Sequence, residues 1–111
     1  MKKIPETYEG RADQKGFSFF LIQECGEIGK NRYRVAVYSK QGSGKTSYET
    51  VIVRKQKKPY IIQGITIREV GDEYLPSPSE WGTFGWTYSD RASALSKASE
   101  IKERLSKSEV E

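Results

Sequence analysis

Residues 32–55 read RYRVAVYSKQGSGKTSYETVIVRK, and the fold depends on how the two halves of this stretch are joined. In residues 32–40, Tyr33, Val35 and Val37 alternate with Arg34, Ala36 and Tyr38. That is the two-residue period of a strand. Residues 47–55 alternate as well, with Val51 and Val53 facing one way and Tyr48, Thr50 and Ile52 the other. The intervening Ser39-Lys40-Gln41-Gly42-Ser43-Gly44-Lys45-Thr46 ends in Gly-Lys-Thr and invites a phosphate-binding reading. A P-loop, however, needs glycine where Ser39 stands, and a helix next whose N-terminus faces the phosphates. Here a strand follows. Residues 41–45 therefore read as a hairpin loop, and the two strands as an antiparallel pair.

Upstream, residues 17–24 form another strand, apolar on both faces: Phe17, Phe19 and Leu21 on one, Phe20 and Ile22 on the other. Residues 25–31 turn the chain. Residues 1–16 are polar, and we expect a loosely ordered segment, with a short edge strand and a turn near Asp13 as the alternative. Downstream, residues 60–70 read as a fourth strand interrupted at Gly64. Tyr60, Ile62, Ile65 and Ile67 cannot share a face by strict alternation, so a bulge is expected at that glycine. Residues 91–106 carry Leu95, Ala98, Ile101 and Leu105 at helical spacing, with Asp90 or Ser89 as the N-cap. The expectation is an α+β domain: an antiparallel four- to five-stranded sheet with one C-terminal amphipathic helix packed on one face. It spans residues 17–106, and 107–111 form a frayed tail.

At 111 residues the chain is one domain, with 35% hydrophobic and 12% aromatic residues. Pairing of two copies as a homodimer offers so thin a core a way to bury more surface. There is no histidine, and Cys25 is the single cysteine. An internal disulfide, a cysteine zinc site and histidine-based nucleophile pairs are excluded. We expect no metal and no cofactor. No unbroken apolar run exceeds Phe19-Phe20-Leu21-Ile22 in length, so no membrane partner is expected. One free cysteine fits a cytoplasmic setting.

Charge is distributed unevenly. Residues 28–68 hold ten basic side chains against Glu49 alone, while 69–88 hold Glu69, Asp72, Glu73 and Glu80 with no base. The acidic group could serve as a catalytic pair, but a chain this small has little room for the cleft such a pair needs. It reads better as a solvated acidic loop, or as anchors for the basic strands. Arg32, Arg34, Tyr38, Lys40, Lys45, Arg54, Lys55, Lys57 and Lys58 form the candidate nucleic-acid-binding face. Cations would hold phosphates while tyrosines stack on bases, which favours single strands over duplex. The plainer reading is a solvated sheet face guarded by lysines.

Residues 74–88, YLPSPSEWGTFGWTY, hold both tryptophans. Pro76 and Pro78 keep the first half from being a central strand, whereas the second half could be a short one. Trp81, Phe84, Trp86 and Tyr88 read as a clasp between sheet and helix. An open tryptophan would instead mark an interface. The motif Tyr74-x-Pro76-Ser77-x-x-x-Trp81-Gly82-x-x-Gly85-Trp86-Thr87 resembles that of a group of small, mostly uncharacterised proteins encoded by bacteriophages and prophages. The likeness runs from about Phe17 to Leu105. It implies a phage accessory protein in the cytoplasm of a bacterial host, and it implies no catalytic residues. The functional expectation is a non-enzymatic protein that acts by binding nucleic acid through the basic face. The alternative is a protein-interaction module that docks on or inhibits a host protein, as an anti-defence or host-takeover factor.

Overall fold

The computed structural model describes residues 2–11 and 14–108. Eight strands precede one helix: β1 Thr7–Glu9, β2 Ser18–Glu24, β3 Arg34–Gly42, β4 Lys45–Lys55, β5 Tyr60–Ile62, β6 Ile65–Arg68, β7 Glu73–Tyr74, β8 Gly85–Tyr88 and α1 Arg91–Ser108. Six strands make one antiparallel sheet in the order β1-β2-β3-β4. Beyond β4, β7 and β8 share its outer edge end to end. β7 pairs with Arg54 and Lys55, and β8 with Tyr48 through Val51. The sheet with its C-terminal helix is the expected α+β architecture.

The hairpin of β3 and β4 is the spine. It runs in unbroken register from Arg34 opposite Val53 to Gly42 opposite Lys45. Ser43 and Gly44, both at positive φ, turn the chain between them. The Gly-Lys-Thr run therefore enters a strand.

Because side chains alternate, β3 and β4 supply both faces of the sheet. Val35, Val37 and Ile52 face α1, where Ala94, Ala98 and Ile101 cover them. The small alanines bring the helix near enough for Thr50 Oγ1 to donate to the Ala94 carbonyl at 2.7 Å. Leu95 and Leu105 flank this seam rather than centre it. Asp90 caps the helix by accepting from the Ser93 amide at 2.7 Å. Helix α1 continues to Ser108, so part of the expected tail is helical and the rest lies outside the described residues.

On the opposite face Phe19, Ala36, Tyr38, Val51 and Val53 gather, and Ile4 closes over them. The N-terminal segment is thus tied in rather than loose. β1 pairs with β2, the Ile4 amide donates to Glu73, and the Tyr38 hydroxyl donates to the Pro5 carbonyl at 2.6 Å. The edge-strand alternative is the one the structure adopts. The turn expected near Asp13 lies outside the described residues.

Residues 60–70 do not form a fourth sheet strand. β5 and β6 pair only with each other. Gln63 and Gly64 have φ of 50° and 79°, the pattern of a two-residue type I′ turn. Gly64 therefore reverses the chain where a bulge was expected. The reversal places Ile62 directly across from Ile65. Cross-strand partners share a face, and alternation within each strand adds Tyr60 and Ile67 to it, with a register shift between Tyr60 and Ile61 that sets Tyr60 opposite Arg68. A hairpin solves the facing problem that a single strand could not.

Candidate functional site

The expected basic face does not assemble. Arg34 lies in the interior, 8% exposed. Its Nε donates to Glu73 Oε2 at 2.7 Å and its Nη2 to Glu73 Oε1 at 3.0 Å, a bidentate pair. Its Nη1 donates to the Cys25 carbonyl. Burial pushes the Glu73 carboxyl up, but the Arg34 guanidinium and the Ile4 amide outweigh it and leave it below its ordinary range. Tyr38 is wholly buried, so it stacks on no base.

Arg54 is held similarly. It lies over the rings of Phe84 and Tyr74 at 4.0 and 4.8 Å and donates to Glu80 Oε1 at 2.5 Å. That bond, joined by the Ser77 amide, lowers the Glu80 carboxyl to about 2. Lys55 and Arg32 both bind Glu27. Lys40 sits 3.9 Å from Glu49 and over the Phe17 ring. Among the described residues, Lys45, Lys57 and Lys58 have no carboxylate partner. Of the acidic residues at 69–88, Glu73 and Glu80 anchor the basic strands through Arg34 and Arg54, while Asp72 accepts from the Lys2 and Glu69 amides. Charge counting missed this because it cannot see which partners the topology delivers.

The aromatic stretch divides between the two faces. Phe84, just before β8, and Trp86 and Tyr88 within it face the helix side, where they pack on the core as the expected clasp. Lys97 Nζ lies 4.7 Å from the centre of the Trp86 ring. Trp81 behaves otherwise: it is 37% exposed, and its indole N–H donates to Thr87 Oγ1 at 2.9 Å. Its ring lies over Gly85, where an added Cβ would come within 2.6 Å of it. Trp81 therefore lines a cavity on the face away from the helix, together with Tyr8, Phe19, Lys40 and Glu49.

Most of the exposed large apolar side chains among the described residues lie on the β5–β6 hairpin. Ile62, Ile65 and Ile67 are 46%, 65% and 46% exposed, with Tyr60 on the same face and Ile61 on the other. The hairpin root is basic. Lys57 reaches only Asn31, Lys58 has no acidic partner among the described residues, and Arg68 stacks over Tyr60 and Tyr74. Sequence reading missed this surface by assigning these residues to the sheet. The available signal was Ile62-Gln63-Gly64-Ile65, two turn residues between apolar neighbours. No helix among the described residues is long and apolar enough to cross a membrane, and no three metal-ligating side chains cluster among them. Comparison with protein-family models, curated proteins and solved structures gave no match to this chain.

Proposed function

We propose that the protein acts by binding, docking on another protein through the apolar face of the β5–β6 hairpin. The observation that supports this is the row Tyr60, Ile62, Ile65 and Ile67, held outward by a rigid two-residue turn. A fold with so few aliphatics would gain by burying these three isoleucines, and this one leaves them about half exposed or more. Contiguous apolar surface of that kind is the usual mark of an interaction site. Both hairpin edges also lack strand partners, which lets a bound chain add main-chain hydrogen bonds. Lys57, Lys58 and Arg68 at the root favour a partner whose apolar groove is rimmed by carboxylates.

Nucleic-acid binding is the weaker reading, because Arg34, Arg54 and Lys55 already spend their charge on carboxylates. The motif resemblance and the lone thiol of Cys25 support placing the protein in a bacterial cytoplasm as a phage accessory factor. The proposal is tested by carrying a photo-crosslinker at position 65 in host extract. A specific adduct should form, and it should disappear with Lys58→Glu and Arg68→Glu. Suppression of adduct formation by a short single-stranded oligonucleotide present before irradiation would favour the nucleic-acid reading. Adduct to a second copy of the chain would make the surface a dimer interface.

A further inference from the structure

The sheet face away from the helix holds a cavity of about 610 Å³, within the range of small-molecule sites. None of the hairpin residues lines it, so it stands apart from the docking reading. Tyr8 and Phe19, stacked on each other at 4.5 Å and 2° apart in plane, make an aromatic wall. Trp81 lines the cavity from the segment that follows the 3-10 turn Pro78–Glu80. Its indole N–H is spent on Thr87, which leaves the ring to act through its face.

Four charged side chains also line the cavity: Glu9 and Arg11, both exposed, and Lys40 and Glu49, 15% and 10% exposed. Lys40 and Glu49 stand 3.9 Å apart, beyond hydrogen-bond distance, so they attract without saturating one another. The other contacts of Lys40 are the ring faces of Phe17 and Phe19. The Thr87 hydroxyl donates to Glu49 and the Tyr8 ring lies near it, and burial leaves its carboxyl raised above the ordinary range despite Lys40 and Thr87. Buried charges with a purely structural role are normally saturated. Arg34 and Glu73 meet that standard on the same sheet face, and Lys40 and Glu49 do not.

We propose that the cavity binds a flat heteroaromatic ring bearing an acceptor–donor–donor edge, the hydrogen-bonding pattern of guanine. Lys40 donates to the ring carbonyl oxygen. Glu49 accepts from the adjacent ring N–H and the exocyclic amino group. The aromatic wall and Trp81 cover the ring faces. A free cation meets Lys40, and a free anion meets Glu49. Adenine brings an amino group to Lys40, so donor faces donor. Uracil matches Lys40 and one Glu49 oxygen, then sets a carbonyl against the other.

The test is amide and indole NMR of the isotope-labelled full chain titrated with GMP, AMP, UMP and CMP. The expected result is a saturable shift of the Trp81 indole N–H and of the Glu49 and Thr87 amides with GMP. The other three nucleotides should bind about tenfold more weakly or worse. Glu49→Gln and, independently, Lys40→Met should each weaken GMP by a similar factor. Absence of shifts at millimolar GMP overturns the proposal. So does equal binding of all four nucleotides, which would report attraction to phosphate alone. The comparison among nucleotides needs no variant, so it decides the matter even if a substitution prevents folding.

Discussion

The side chains of Arg34 and Glu73 meet 2.7 Å apart, 10% and 3% exposed. Charges taken this far from water persist only as a pair, and removing one leaves the other stranded. We expect Arg34→Leu to cost about 3 kcal/mol in urea unfolding, and the double variant with Glu73→Leu to recover much of it. A second residue-scale expectation concerns Gly85. An added Cβ lands 2.6 Å from the Trp81 ring, so Gly85→Ala should displace the indole. Its emission should move to the red, at a stability cost of about 1–2 kcal/mol. At this scale the sequence was informative about partners in general and silent on pairings. Of the acidic run 69–80, open to reading as a solvated loop or as anchors, Glu73 and Glu80 are anchors for the basic strands. Nothing in residue order showed that Arg34 would meet Glu73, 39 positions away, and so leave the surface.

Among the elements, the hairpin of β3 and β4 was legible because both strands alternate strictly and glycines mark the turn. Helix α1 was legible from its period and from Asp90. The β5–β6 hairpin was not, because a run of apolar residues broken by one glycine fits a bulged strand as well as two short ones. Its turn geometry now yields its own expectation. Gln63 and Gly64 both sit in the left-handed region, where a branched side chain is strained. Gly64→Val should therefore destroy the nuclear Overhauser contact between Ile62 and Ile65 while leaving the main sheet intact. Gln63→Asn should strengthen that contact, since Asn-Gly is the preferred pair for this turn. The isoleucines themselves contribute little to folding. Ile62→Ser with Ile65→Ser should shift the unfolding free energy by no more than about 0.5 kcal/mol per site.

Across the whole molecule, one sheet uses both of its faces. The helix and clasp seal one; the N-terminal segment closes part of the other and leaves a cavity beside it. Carboxylates tie these layers together, so stability should follow pH. The Glu80 carboxyl is lowered from 4.5 to about 2, and those of Glu73 and Asp72 are lowered as well. Groups lowered on folding stabilise above their unfolded values, and that contribution is lost as pH falls through the folded ones. The urea midpoint should therefore drop between about pH 4.5 and 2, and Glu80→Gln should flatten the drop. Glu49 acts in the opposite sense, because its raised carboxyl favours folding most when protonated. Whether the outward isoleucine face binds a protein is decided by comparing the host proteins retained by the immobilised wild-type chain with those retained by the Ile62→Ser, Ile65→Ser variant, both folded by circular dichroism. A protein should be held by the first and lost from the second. Identical retention by both would leave the face with no docking role.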